Sequence, residues 1–270
     1  MKKRARKNPF SRMEHLATRT TNADAACAMI HPTGRVSVGW SADTGSLTPE
    51  LVDIIETDLS RMDEVECVGV AVNPIWSAAR GMVTVTADKK HLDDAVATAA
   101  IAGGHALDIL KDAGCDARAA DLGQVAGWSD QAWANTGATF PPTAAGISTS
   151  AAADVAGRVT ASFEIDLSHD FCRKAWWQMW VTLPDTIDVT ITRLARPLAD
   201  ESGVRAGGIL TVADNSVEEV NGLADMLIRS LPAEVRLRVR RMRGRHIGGR
   251  VSSALVGVVP WGTDRLECEV

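Results

Sequence analysis

Pairs of strand-like runs alternate with single helices along this 270-residue chain, and that order narrows the fold more than any other feature. Residues 25–30 and 35–40 read as strands around H-P-T-G, a turn whose Pro and Gly set the backbone dihedrals. Thr48, Pro49 and Glu50 then supply the N-cap, first position and acidic first turn of a helix, and Leu51, Ile54, Ile55, Leu59 and Met62 follow at helical spacing. Residues 65–72 and 82–87 read as a second strand pair, and residues 88–113 as a long Ala-rich helix closed by Gly114.

The second half repeats the alternation. G-R-V-T-A-S-F-E-I-D reads as a strand, and a helix capped by Ser168 follows it. T-I-D-V-T-I-T-R-L and V-R-A-G-G-I-L-T-V are β-rich. A helix opens with Ser216 and Glu219 in capping-box spacing. E-V-R-L-R-V-R-R-M reads as a strand with Val235, Leu237 and Val239 on one side and Arg236, Arg238 and Arg240 on the other. The expected class is α+β (α/β): two similar-sized α/β halves with mainly antiparallel mixed sheets. The division is a basic disordered tail over 1–20, a first half over 21–122, a Pro/Gly/Ser-rich linker over 123–156 and a second half over 157–270. Only element order relates the halves; no sequence repeat does.

Charge is unevenly spread. The net charge is −5, yet residues 1–20 hold seven Lys/Arg against one Glu, and residues 236–250 add seven Arg. Two basic segments therefore sit on an acidic body, whereas a nucleic-acid binder spreads positive charge over one face. The segment R-R-M-R-G-R-H-I-G-G-R (240–250) has four readings. It is an exposed strand face balanced by nearby carboxylates, a docking surface for a protein, a nucleic-acid contact lacking interleaved aromatics, or a phosphate site in which Gly244, Gly248 and Gly249 let backbone amides approach an anion.

Other constellations offer little chemistry. Cys27, Cys67, Cys115, Cys172 and Cys268 are scattered without C-x-x-C or His at ligand spacing, which argues against a zinc site. Five of the eight tryptophans fall between 128 and 180; Trp176 and Trp180 share a helical face and suit either core packing or a protein contact. His169, Asp170 and Cys172 lie too close in sequence for a nucleophile–base pair. D-x-D, H-E-x-x-H, G-x-S-x-G and Walker patterns are absent, so neither an enzyme nor a cofactor is expected. The basic N-terminus lacks an apolar h-region, and no run nears 18 apolar residues.

Trp177–Trp180 with V-T-L-P, the V-E-E-V-N-G-L-A-D-M-L helix and M-R-G-R-H-I-G-G-R-V-S-S-A-L-V-G-V-V-P together resemble the soluble domain of EccE, a type VII secretion membrane-complex component. The family's Arg-rich L-x-G-R-Q segment is matched with His246 in place of Gln and Val259–Pro260 in place of Leu–Pro. That family usually begins with two transmembrane helices, and no such helix is seen in this sequence. The resemblance implies a non-catalytic assembly component at the cytoplasmic face of the inner membrane. Its partners would be other secretion subunits and the secretion ATPase, without a small-molecule substrate, and membrane contact would be indirect or through the basic tail. Arg236, Arg238, Arg240, Arg243, Arg245, His246, Arg250, Trp176 and Trp180 are the candidate partner-binding residues, with no catalytic or metal-binding set. The alternative is a soluble binding protein whose basic segments contact nucleic acid or anionic lipid.

Overall fold

The computed structural model describes residues 19–23, 26–86, 91–133, 146–148, 151–155, 158–198 and 204–256. In chain order the elements are β1 (Arg19–Ala23), β2 (Ala26–Ile30), β3 (Arg35–Ala42), α1 (Pro49–Leu59), β4 (Val65–Val72), β5 (Ala79–Thr86), α2 (Leu92–Asp112), β6 (Ala117–Ala119), α3 (Leu122–Trp133), β7 (Gly146–Ser148), β8 (Ala153–Val155), β9 (Arg158–Asp166), α4 (Asp170–Thr182), β10 (Val189–Pro197), β11 (Val204–Asp214), α5 (Val217–Ser230), α6 (Ala233–Arg236), β12 (Arg240–Arg241) and α7 (His246–Ser253). The class is α+β.

Local chemistry accounts for most boundaries. Thr48 Oγ1 accepts from the Leu51 N–H at 3.2 Å, and Pro49 opens α1 where its missing N–H costs nothing. Gly114 ends α2 at φ 80°, a conformation that disfavours residues with a Cβ. At α5 the Glu219 N–H donates to Ser216 Oγ at 3.2 Å, and the Ser216 hydroxyl donates to the Glu219 carboxylate. At α4 the N-cap is His169 rather than Ser168, whose N–H instead donates to Asp166 Oδ1 at 2.9 Å.

All strands among the described residues join one twelve-stranded sheet, antiparallel at every pairing, rather than one mixed sheet per half. The order is β1-β2-β3-β5-β4-β10-β11-β9-β8-β7, with β6 beside β3 and β12 beside β9. The sequence from β1 to α3 and that from β7 to α7, α6 apart, run through the same elements in the same order. The sheet therefore reads alike from either end about the β4–β10 seam, where Val68 faces Ala195 and Val72 faces Ile191. Backbone hydrogen bonds fix the equivalence: the Ala120 N–H donates to the Gly39 carbonyl and the Met242 N–H to the Ser162 carbonyl, both at 2.9 Å.

Alternation along each strand splits the side chains between two layers. Val36, Val38, Trp40, Val83, Val85, Ala161, Phe163, Leu210 and Val212 meet α1, α2, α4 and α5 in the larger core. On this face Arg193 of β10 pairs with Glu56 of α1 at 2.6 Å and with the half-exposed Asp53, so one guanidinium ties the two halves together. The opposite face carries Cys27, Met29, Cys67, Met82, Leu194 and Ile209 beneath α3 and α7.

Several expectations change. Segment 123–156 contains most of α3, with β7 and β8, rather than an irregular linker; Val125, Trp128 and Ala132 are buried from α3. The rest of that segment, 134–145, 149–150 and 156, lies outside the described residues, as do tail residues 1–18 and Cys268; Arg19 and Thr20 belong to β1. The strand expected over 234–242 is absent: Pro232 caps the short helix α6, Leu237 is 87% exposed, and only Arg240–Arg241 pair with β9. Pro fixes φ and gives no N–H, which suits a helix start better than a sheet interior.

Candidate functional site

Strand alternation in β5 sends Ala79, Val83 and Val85 towards α1 and α2, and so places Arg80 between Ala79 and Gly81 on the opposite face beneath α3. Arg80 is 5% exposed. Its Nη2 donates to Gln131 Oε1 of α3, and its guanidinium lies 3.5 Å from the Trp76 ring centroid and 5.2 Å from that of Trp128. No carboxylate among the described residues pairs with it, and its Nη1 is buried without a hydrogen-bond partner. Burial pushes its pKa down to about 9, which leaves it charged at neutral pH.

Arg250 reaches the same place from α7. Its Nη2 donates to the Gln131 carbonyl at 2.8 Å, and its Nη1 is also buried without a partner. Burial lowers its pKa to about 10, partly offset by Asp188 and reinforced by Arg158. Arg158, at the start of β9, donates to Asp188 Oδ2 at 2.7 Å and is thereby neutralised. Asn73, just beyond β4, donates to Asp188 Oδ1 at 2.8 Å and lies 3.1 Å from Thr190 Oγ1.

These groups line an open cavity of about 340 Å³, with Thr160, Thr190, Thr211 and Ser253 also in its lining. Thr160 Oγ1 is buried and unpartnered, whereas Thr211 Oγ1 and Ser253 Oγ bond each other at 2.8 Å. The cavity lies across the seam: Asn73, Trp76, Arg80 and Gln131 come from the first half, and Arg158, Asp188 and Arg250 from the second. Buried charges normally have a counter-ion, because desolvation of an isolated one is costly. Arg80 and Arg250 have no bonded carboxylate among the described residues.

The structure scatters most of the residues expected to form a partner face. Arg236 donates to the Arg229 carbonyl at 3.4 Å, Arg238 sits 5.3 Å from the Phe171 ring centroid, and Arg243 is exposed in the turn before α7. Arg240 pairs opposite Glu164 across β12–β9, and Arg245 donates to Glu164 Oε1 at 3.3 Å. Arg238 and Arg240 line an open groove of about 670 Å³ together with Arg196, Arg205, Glu164 and Asp166, a mixed-charge surface. His246 is buried, its Nδ1 accepting the Ser162 N–H at 3.0 Å. Trp176 and Trp180 are buried core residues, 2% and 7% exposed, rather than contact residues; Trp176 fills the space over Gly208. Of the expected set only Arg250 lines the seam cavity. Sequence reasoning missed Arg80 and Arg158; the one local signal was a single arginine inside the otherwise uncharged run from Ala79 to Thr86.

Among the described residues, no helix is long and apolar enough to cross a membrane, and no three His, Cys, Asp or Glu side chains group as metal ligands.

No protein-family model matches this chain, and no curated protein sequence does. A solved structure of GilR, an oxidoreductase that catalyses the terminal step of gilvocarcin biosynthesis, in complex with pregilvocarcin, is similar at a TM-score of 0.42 and 14% identity. The match covers 93% of this chain and 57% of that one, so the chain spans little more than half the neighbour's length. The neighbour is an enzyme and not a secretion subunit. That corrects two expectations, of a non-catalytic assembly component and of a protein that is not an enzyme, and neither is carried forward. A likeness this distant assigns no reaction to these residues.

Proposed function

We propose that this protein binds a small anionic molecule in the cavity across the seam. The observation that supports the reading is Arg80, a guanidinium almost wholly removed from water, charged, and without a carboxylate partner. Trp76 and Trp128 stabilise the cation through their ring faces, and Gln131 orients it. A bound anion completes the arrangement by supplying charge to Arg80 and Arg250 together. This reading departs from the expectation of no small-molecule substrate.

The test is thermal unfolding at constant ionic strength with acetate, succinate, sulfate or phosphate added to the wild type and to Arg80→Met. Sulfate and phosphate stabilise proteins generally by exclusion from their surfaces, so the variant is the necessary control. Specific binding at about a hundredfold excess over Kd contributes about 2.7 kcal/mol, which shifts Tm by about 5 °C or more in a chain of this size. Arg80→Met should abolish the saturable part and should raise Tm in the absence of anions, since a buried unpaired charge gives way to an apolar chain of similar reach. Equal shifts in both proteins for every anion would overturn the reading.

A further inference from the structure

Resting on that reading, we infer that the anion is the phosphoryl group of a small phosphomonoester. Three features of the cavity point there. First, Arg158 is neutralised by Asp188, whereas Arg80 and Arg250 have no bonded carboxylate, so the uncompensated charge is that of two guanidiniums. A dianion matches it and a monoanion leaves one cation unserved.

Second, both cations are held by one residue, Arg80 by the side chain of Gln131 and Arg250 by its carbonyl. A phosphoryl group offers several equivalent oxygens to guanidinium donors that enter a site from different elements. Arginine's planar fork matches phosphate oxygens in pairs.

Third, the cavity of about 340 Å³ stands at the lower end of small-molecule sites, about 300–1,000 Å³. Beyond the arginines it is lined by Asn73, Asp188 and Thr190, which can meet hydroxyl groups, with Ile75 and Trp76 as an apolar side. A phosphoryl group on a short hydroxylated carbon chain fits that division.

The experiment is isothermal titration of the intact chain with glycerol phosphate, inorganic phosphate, succinate and acetate at low salt. Glycerol phosphate should bind one to one and at least about tenfold more tightly than succinate or acetate. Its affinity should rise about tenfold between about pH 5 and pH 7.5, as the second phosphoryl proton leaves near pKa 6, while both arginines stay charged. Arg250→Gln, on the less buried of the two arginines, should weaken it at least about tenfold while circular dichroism stays that of the wild type. The wild-type selectivity and pH profile need no variant, so a folding defect in Arg250→Gln would leave the test standing. Succinate or acetate binding as tightly, with dependence on Arg80, would overturn the phosphoryl assignment and leave the anion site in place. Inorganic phosphate binding as tightly as glycerol phosphate would overturn the ester and make free phosphate the ligand. Heat from none of the four would overturn this inference and the anion site together.

Discussion

Replacing Gly249 with alanine probes the contact that holds α7, and with it Arg250, against the sheet. A Cβ at Gly249 would meet Ser162 Oγ at 2.6 Å and Met242 Sδ at 2.8 Å, with Ser162 Cβ nearer still. The strand cannot easily yield, because the Ser162 N–H is held by His246 Nδ1 at 3.0 Å. Overpacking of this kind costs about 1–3 kcal/mol, and alanine's better helix propensity returns at most about 1 kcal/mol, so a net loss of about 1–2 kcal/mol is expected. Gly104 in α2 is the internal control. Nothing lies within 4 Å of a Cβ added there, so Gly104→Ala should gain about 0.5–1 kcal/mol.

Ser162→Gly alone should lose about 1 kcal/mol with the hydroxyl's bonds to Thr211 Oγ1 at 3.1 Å and the His246 carbonyl at 3.3 Å. Combined with Gly249→Ala it should relieve the clash, because it restores the arrangement of the first half. There the equivalent strand residue is Gly39, and the bulk comes from Trp128 on the helix, 2.7 Å from a Cβ placed on Gly39. Urea unfolding of the four proteins closes the cycle, with a coupling of at least about 1 kcal/mol expected. Gly249→Ala as stable as the wild type, or effects that add within about 0.5 kcal/mol, would show that α7 does not pack as closely as described.

Burial pushes the Glu56 carboxyl up from 4.5 to about 7 against the pull of Arg193, which it shares with Asp53. The fold therefore favours its protonated form, and that contribution is complete below about pH 4.5 and lost as pH rises through 7. The span between the two values caps the loss at about 3 kcal/mol; Glu56→Gln should flatten the decline in urea unfolding, and an unchanged pH slope would show that another group carries it. Arg243 is exposed in its turn, so Arg243→Glu should alter the unfolding free energy by less than about 0.5 kcal/mol. A larger change would place Arg243 in a structural contact.

Elements with local chemistry were legible in the sequence. Thr48 and Pro49 fix where α1 begins, and Ser216 and Glu219 do the same for α5, because capping acts over three or four residues. Helix α3 was hidden because its buried Val125, Trp128 and Ala132 stand in a run of small and polar residues next to a Pro- and Gly-rich stretch. Alternating Val and Arg after Pro232 imitated a strand, although burial does not alternate there: Val235 is buried, Leu237 exposed and Val239 half-buried. The cavity was the least legible feature. Arg80, Arg158 and Arg250 are far apart in sequence, on β5, β9 and α7, and line one cavity only because the two halves join at the seam, so their spacing carries no signal.

The symmetry of the sheet bears on how such a site can change. In a dimer of identical subunits, every substitution is made twice, and an unpaired buried arginine would burden both copies. Here Met82 faces Gly39 and Thr211 faces Ser162, so the counterpart of Arg80, two residues before Met82, is Ile209, an apolar residue buried on the same face of the sheet. Carrying both halves on one polypeptide lets the second keep an apolar residue at this position while the first holds a buried charge. Mutational load at the site is thereby halved, and each half can tolerate changes that a symmetric assembly would have to accept in duplicate.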